Sequence, residues 1–132
     1  MRKQILIVGA GFAGMWAALS AARLADKNNG QAIDITVIAP QPELRVRPRF
    51  YESHVETLVS PLMPLFDATG VTFLRGTVSD IHTDSRSVSW KDANGESHQH
   101  DYDRLILASG SHVNRSFISG VAEHAFDLDQ LE

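Results

Sequence analysis

Residues 5–14 read ILIVGAGFAG, four branched apolar residues followed by three glycines among small residues. An apolar run of this kind is typical of a strand buried on both faces of a parallel sheet. Gly9, Gly11 and Gly14 have the spacing G-x-G-x-x-G. In that spacing the first glycine permits a tight turn, the second lets a pyrophosphate approach the backbone, and the third lets a helix pack closely on the sheet. The stretch therefore predicts a strand, a phosphate-binding turn and the start of a helix.

The residues that follow complete a βαβ unit. Residues 13–25 contain good helix formers and no proline, and a stretch rich in helix breakers follows at 26–30. Ile33 to Ala39 is rich in β-branched residues and predicts the second strand. The amino end of the helix offers free N–H groups and a partial positive charge to a phosphate. The candidate phosphate-binding residues are Gly9, Gly11, Phe12, Ala13 and Gly14.

The remainder of the chain predicts a parallel sheet interrupted by an antiparallel insertion. Pro40 to Pro64 holds all five prolines and should be irregular, with a helix from Pro61 to about Ala68 that Gly70 ends. Val71 to Leu74 is expected to form a third strand. Short strands at 77–81, 86–91 and 98–102, with the hairpin signal Asn94-Gly95, predict a three-stranded antiparallel meander. Leu105 to Ala108 returns to a buried strand. The fold class is Rossmann-like α/β, a parallel sheet with that meander.

Composition restricts the classes of function. The chain has 132 residues, 43% of them hydrophobic and 21% charged, as expected of one globular domain. Its net charge of −4 and scattered basic residues give no reason to expect a nucleic-acid partner. The absence of cysteine excludes thiolate metal sites, thiol nucleophiles and dithiol redox chemistry. No segment predicts a stable transmembrane span.

One part of the dinucleotide pattern is missing. A carboxylate that binds the ribose is expected about 20 residues after the glycines, at the end of the second strand. That strand ends at Ala39 without one, and Asp34 opens the strand, at the wrong end of the sheet. Glu43 lies a few residues beyond and could reach back. Ala39 and Glu43 are therefore candidate binding residues at this place.

Three arginines follow in the next loop, at Arg45, Arg47 and Arg49. They could clamp a phosphate through paired hydrogen bonds, or read the 2′-phosphate of NADP. The third interpretation is a basic loop that only faces solvent. The sequence alone does not distinguish among these three interpretations.

The order of several motifs resembles that of FAD-dependent pyridine nucleotide–disulfide oxidoreductases. These motifs are Gly9 to Gly14, the pair Arg47-Pro48, and YDRLILASGS at 102–111. The last resembles the second flavin signature of the family, usually written around an A-T-G core. Within the superfamily the chain looks most like the type II NADH dehydrogenase and ferredoxin/rubredoxin-reductase-like branches.

The resemblance implies FAD as the cofactor. It implies that Ala108, Ser109 and Gly110 pass close to FAD and that Arg47-Pro48 meets its pyrophosphate. Residues 70–81 resemble the segment in which the backbone at Val78 contacts adenine. The parent enzyme would transfer hydride from NAD(P)H to FAD and pass electrons to a quinone or a small redox protein. Because the flavin carries the chemistry, no catalytic side chain is predicted.

The resemblance also implies that 1–132 is a partial FAD-binding domain. A second glycine-rich unit for NAD(P)H and a C-terminal domain are absent, so the isolated chain is expected to be inactive. Residues 125–132 resemble the segment that leads into that second unit. The absent C-x-x-C excludes the disulfide-reductase branch.

The expected location is cytoplasmic, and peripheral membrane association of the parent is compatible with the family. Two alternatives are a stand-alone NAD(P)-binding module or sensor, and a non-enzymatic interaction domain with a degenerate nucleotide site.

Two smaller patterns have ordinary interpretations. His98 and His100 alternate on a predicted strand, but without a third ligand a solvated strand is favoured and no metal site is predicted. Met15 and Trp16 on the first helix are interpreted as core packing.

Overall fold

The computed structural model describes residues 2–28 and 32–126. Within these residues eight strands and three α-helices occur. In chain order they are β1 (Lys3–Val8), α1 (Phe12–Lys27), β2 (Ile33–Ala39), β3 (Glu43–Arg45), β4 (Val59–Pro61), α2 (Met63–Thr69), β5 (Thr72–His82), β6 (Ser87–Asp92), β7 (Ser97–Asp101), β8 (Arg104–Leu107) and α3 (Val121–His124). Two short 3₁₀ helices, Arg47–Arg49 and Val55–Leu58, lie between β3 and β4.

The main sheet has the strand order β7-β6-β5-β2-β1-β8. Strand β1 is parallel to both β2 and β8, and β2 is parallel to β5. Strands β5, β6 and β7 form antiparallel pairs. The predicted parallel sheet with an antiparallel meander is confirmed. Val8 lies opposite Ile38 on one side and Leu107 on the other. Because these strands are parallel, the loops after β1, β2 and β8 meet at the carboxyl ends of the strands.

The boundary between the third parallel strand and the meander was predicted wrongly. Residues 72–74 of the first predicted segment and all of 77–81 belong to one continuous strand, β5. Its first part pairs with β2 as far as Arg75, and its second part pairs with β6 from Gly76 onward. A Cβ on Gly76 would lie 2.3 Å from the carbonyl oxygen of Lys91. The glycine therefore permits close approach of two strands and does not mark a turn.

Apolar residues cover both faces of the sheet. The larger cluster joins α1 and α2 to one face, with Ile7, Val37 and Phe66 fully buried at its centre. On the opposite face Leu6 and Ile38 pack with Val88 and Trp90 of β6. The antiparallel meander of β5, β6 and β7 thus covers the sheet face that the helices leave open. Strands β1 and β2 are therefore buried on both faces.

Helix α1 contributes Gly14, Met15, Ala18 and Ala22 to the interior. The prediction that Trp16 packs in the core with Met15 is wrong, because Trp16 is 60% exposed. Neighbouring residues on a helix point about 100° apart, so only one of the two can face the sheet. Within the described residues no helix is long and apolar enough to cross a membrane.

The proline-containing segment is more regular than predicted. Strands β3 and β4 pair antiparallel, and Pro61 ends β4 where a helix start was expected. Helix α2 begins two residues later, at Met63, with Pro64 in its first turn. Gly70 ends this helix as predicted, with φ of 71°. Strands of three residues carry too little alternation to be recognised from sequence.

Candidate nucleotide-binding site

The glycine turn is fixed by its neighbours. Gly9 has φ of 106°, and its N–H donates to the carbonyl oxygen of Ile38 at 2.9 Å. A Cβ on Gly9 would lie 2.0 Å from the carbonyl oxygen of Ala108. Both the backbone angle and the contact require glycine here. The turn therefore brings the end of β1 directly against the end of β8.

The other two glycines have different surroundings. A Cβ on Gly14 would lie 1.9 Å from the carbonyl oxygen of Gly9, which confirms that this glycine lets the helix pack against the turn. A Cβ on Gly11 would meet nothing within 4 Å. Gly11 is the N-cap of α1 and supplies no side-chain hydrogen bond to the first turn. The amino end of the helix thus faces open space.

Two adjoining clefts lie in front of this helix end. They share Gly11, Arg45, Arg47, Ala108 and Gly110 in their walls. The first, of about 290 Å³, is also lined by Gly9, Ala10, Ala39, Pro40, Gln41, Glu43 and Ser109. The second, of about 460 Å³, is also lined by Phe12, Ala13, Pro48 and Ser111.

Eleven of the thirteen predicted binding residues therefore lie together in the clefts. The structure does not bring two of them to the cleft walls. Gly14 is buried between helix and turn, and Val78 packs in the cluster of Leu6, Ile38, Val88 and Trp90. The predicted adenine contact at Val78 concerns its backbone, and neither cleft reaches that residue.

The three arginines divide between two environments. Nη1 of Arg47 donates to the carbonyl oxygen of Ser111 at 2.7 Å, which ties the loop after β3 to the loop after β8. Arg45 lies 3.5 Å from Glu43 across the first cleft wall. Arg49 instead binds both carboxylate oxygens of Glu52 at 2.7 Å and lines neither cleft. Its hydrogen bonds lower the pKa of the Glu52 carboxyl.

Asp34 lies at the opposite end of β2, as the sequence predicts. Its carboxylate accepts hydrogen bonds from Arg2 at 2.7 Å and from Gln4 at 2.8 Å. The hydrogen bond from Arg2 lowers the pKa of Asp34. These contacts link the start of β2 to Gln4 of β1, and Asp34 lines neither cleft.

An amide, Gln41, lies two residues beyond the cleft end of β2, and no acid stands at the strand end itself. Gln41 lines the first cleft, and Arg75 lies beside it because Arg75 pairs with Ala39 in the sheet. Arg75 donates from Nε to the carbonyl oxygen of Pro40 at 3.1 Å and from Nη2 to Oε1 of Gln41 at 3.0 Å. Neither residue is among the predicted site residues. Gln41 could be found from its position after β2, but Arg75 depends on strand register.

His98 has neighbours that its sequence position does not show. Its Nε2 lies 2.7 Å from Oδ2 of Asp92, and the ligand atoms of Asp92, Glu96 and His98 all lie within 4.8 Å of one another. Oδ1 of Asp92 accepts from the N–H groups of Asn94 and Glu96, as in a tight turn. The hydrogen bond to His98 lowers the pKa of Asp92. These contacts explain why Asp92, Glu96 and His98 lie together: they form the turn at the end of the β6–β7 hairpin.

Comparison with known proteins gives a consistent family. Residues 3–132 match the family model described as pyridine nucleotide-disulphide oxidoreductase. An NADH dehydrogenase-like protein of Mycobacterium tuberculosis is 38% identical over 131 residues, covering 98% of this chain and 32% of that protein. A type II NADH:quinone oxidoreductase of Staphylococcus haemolyticus is 24% identical over 136 residues, covering 99% and 32%. The chain thus spans about a third of the length of the curated relatives it matches.

Solved structures share the fold. The chain superposes on NDH2 of Plasmodium falciparum in complex with NADH with a TM-score of 0.76 and 20% identity, over 93% of this chain and 25% of that one. The sulfide:quinone oxidoreductase of Aquifex aeolicus gives a TM-score of 0.77 and 22% identity, over 97% and 29%. Both support the Rossmann-like architecture.

Proposed function

The chain belongs to the pyridine nucleotide-disulphide oxidoreductase family, and from that premise we propose that its clefts bind the ADP half of FAD. The observation that carries the proposal is the open space at Gly11, in front of a helix end that no N-cap side chain covers. Backbone N–H groups at such an end bind phosphate oxygens, and the helix dipole favours their charge.

The remaining groups of the site fit a dinucleotide. Arg45 and Arg47 place two cations on the walls of both clefts, which suits a pyrophosphate. Pro48 and Phe12 add apolar surface to the second cleft. Ala108, Ser109 and Gly110 present backbone and small side chains, so a ring system can approach closely. We assign the flavin side to the second cleft and the adenosine side to the first.

The reaction of the parent enzyme follows as a proposal. Bound FAD would accept hydride from NAD(P)H and deliver electrons to an acceptor, and the residues of this chain would orient it and exclude water. A quinone is the acceptor that we favour, because one relative is a type II NADH:quinone oxidoreductase. A small redox protein is the alternative.

We further propose that residues 1–132 act as part of an FAD-binding domain and are inactive alone. The sequence holds one G-x-G-x-x-G motif, at Gly9 to Gly14, and no second unit of that kind for NAD(P)H. The tail from 127 to 132, which resembles the segment leading into that unit, lies outside the described residues. A cytoplasmic location, with peripheral membrane association of the parent, is the corresponding proposal for the cell.

A titration with FAD, NADH and NADPH tests the cofactor assignment. Quenching of flavin fluorescence, or calorimetry for the pyridine nucleotides, gives the three dissociation constants. The proposal expects FAD to bind most tightly. Clear preference for NADPH without FAD binding would instead support a stand-alone NAD(P)-binding module, which the two cleft arginines and the missing acid also suit. Binding of none of the three would favour the interaction domain.

A further inference from the structure

The end of β2 has a hydrogen-bonding group that differs in kind from the one expected. A carboxylate at this place in dinucleotide folds accepts hydrogen bonds from ribose hydroxyls. Here Ala39 and Pro40 offer no polar side chain, and Gln41 is the next residue on the wall of the first cleft. The change from acid to amide replaces a group that only accepts with one that can also donate.

Arg75 determines which end of the Gln41 amide is already engaged within the protein. A guanidinium has only donors, so the oxygen of Gln41 must be the atom that faces it, and their distance is 3.0 Å. The second bond, from Arg75 Nε to the carbonyl oxygen of Pro40, holds the guanidinium against the turn. With Oε1 engaged, Nε2 has no hydrogen-bond partner among residues 2–28 and 32–126. Gln41 is exposed, so its two N–H donors are hydrated in the free protein and remain accessible to a ligand.

We infer that Nε2 of Gln41 donates a hydrogen bond to a hydroxyl oxygen of the adenosine ribose, and that Arg75 is the positioning residue for this contact. The inference rests on the proposed function, because the pyrophosphate must lie on the glycine turn to bring the ribose to this wall. In this contact the protein donates the hydrogen bond, whereas a carboxylate would accept it. Sugar hydroxyls accept such a bond as readily as they donate one.

Glu43 is the competing residue on the same wall. Its carboxylate lies 3.5 Å from Arg45, so an ion pair already engages it. Glu43 also belongs to β3, which pairs with β4 and restricts its backbone. Gln41 lies between β2 and β3, two residues after the end of β2, and is the nearer of the two in sequence to the expected place.

Calorimetry with ADP, 2′-deoxy-ADP and 3′-deoxy-ADP tests the contact on the 132-residue chain. The unaltered protein should bind ADP about three- to tenfold more tightly than at least one deoxy analogue, as the loss of one hydrogen bond predicts. Gln41→Ala should bring that ratio close to one while ADP still binds. Arg75→Met should lower the ratio in the same direction, and adding it to Gln41→Ala should change the ratio no further.

Matched variants make the result specific. Gln99→Ala removes the same side chain from β7, at the far edge of the sheet, and should leave the ratio unchanged. Gln41→Glu should restore discrimination, since a carboxylate can accept from the hydroxyl.

An unchanged ratio in Gln41→Ala, with ADP and FAD still bound by the unaltered chain, would overturn the inference and leave the proposed function standing. A ratio that collapses in Glu43→Gln instead would assign the ribose to Glu43 and overturn it equally. Failure of the unaltered chain to bind either ADP or FAD would overturn both.

Discussion

Gly9, Gly11 and Gly14 have three different physical surroundings. Gly9 combines a positive φ with contact against Ala108, and Gly14 removes a side chain that would enter the backbone of the turn. Gly11 is the one with open space around it. The sequence motif predicts the turn and the close helix packing, but the contact with Ala108 comes from a strand almost a hundred residues away and cannot be seen in the motif.

Gly11→Val should abolish nucleotide binding and leave the fold intact. The new side chain meets no protein atom near its Cβ, so folding is not opposed by a clash, but it would occupy the space that we assign to the pyrophosphate. FAD affinity should fall more than about tenfold, while the far-ultraviolet circular dichroism and the urea midpoint stay close to those of the parent chain. Normal FAD affinity in this variant would contradict the assignment of the turn.

Gly9→Ala should instead damage the fold. A methyl group there would lie 2.0 Å from the carbonyl oxygen of Ala108, and the backbone would have to keep φ of 106°. We expect a loss of more than about 2 kcal/mol of unfolding free energy, measured by urea denaturation. If Gly9→Ala were as stable as Gly11→Val, the end of β8 would have to move away from the added methyl group at little cost. That result would contradict this prediction.

At the scale of elements, the sequence predicts the types of strand better than their limits. The parallel strands β1, β2 and β8 are recognisable because each is a short apolar run. The continuity of β5 is not, since Arg75 and Gly76 interrupt the apolar pattern at the point where its partner changes from β2 to β6. The contact of Arg75 with Gln41 follows from the same register, because Arg75 pairs with Ala39.

Asp103, just before β8, contacts residues of β1 through its carboxylate. The stabilisation from these contacts should be lost at acid pH. Its Oδ2 accepts from the N–H of Gln4 at 2.8 Å, and Lys3 lies 3.4 Å from its other oxygen. The hydrogen bond from Gln4 and the charge of Lys3 lower the pKa of Asp103 in the folded protein. The stabilisation is therefore complete above the carboxyl's ordinary pKa, near 4, and is lost as the pH falls through the lower folded value.

Asp103→Asn should accordingly lower stability at pH 7 and bring the parent and variant curves together as the pH falls below about 4. Urea unfolding at several pH values measures this convergence. Asp67→Asn, at an exposed carboxyl on α2, is the matched control and should change the free energy of unfolding at pH 7 little. A constant difference between Asp103→Asn and the parent chain at all pH values would contradict the role given to the ionised carboxylate.

At the scale of the whole molecule, the two edges of the sheet differ. The edge at β7 is polar, with the sequence SHQHD, whereas β8 presents Ile106 and Leu107, the latter 61% exposed. Trp16 is exposed on α1. The α/β class was predictable from strand and helix patterns, but exposure at β8 was not, because an apolar run alone indicates a strand buried on both faces.

Leu107→Lys should reduce self-association of the 132-residue chain at high concentration. An apolar edge strand with one free side is prone to pairing with other chains, and a lysine there opposes it by charge. Sedimentation velocity across a concentration series provides the measurement. The same substitution at an already exposed residue of the opposite edge, Gln99→Lys, should have little effect. Equal association in all three chains would show that β8 is not responsible.

The most direct test of the account is a nitrogen-15 NMR titration of the chain with ADP. Binding of a diphosphate at the glycine turn predicts the largest amide shifts at Gly11, Phe12 and Ala13, with further shifts at Gln41 and at residues 108–110. Shifts centred elsewhere, for example on the hairpin between β6 and β7, or no shifts at saturating ADP, would contradict it.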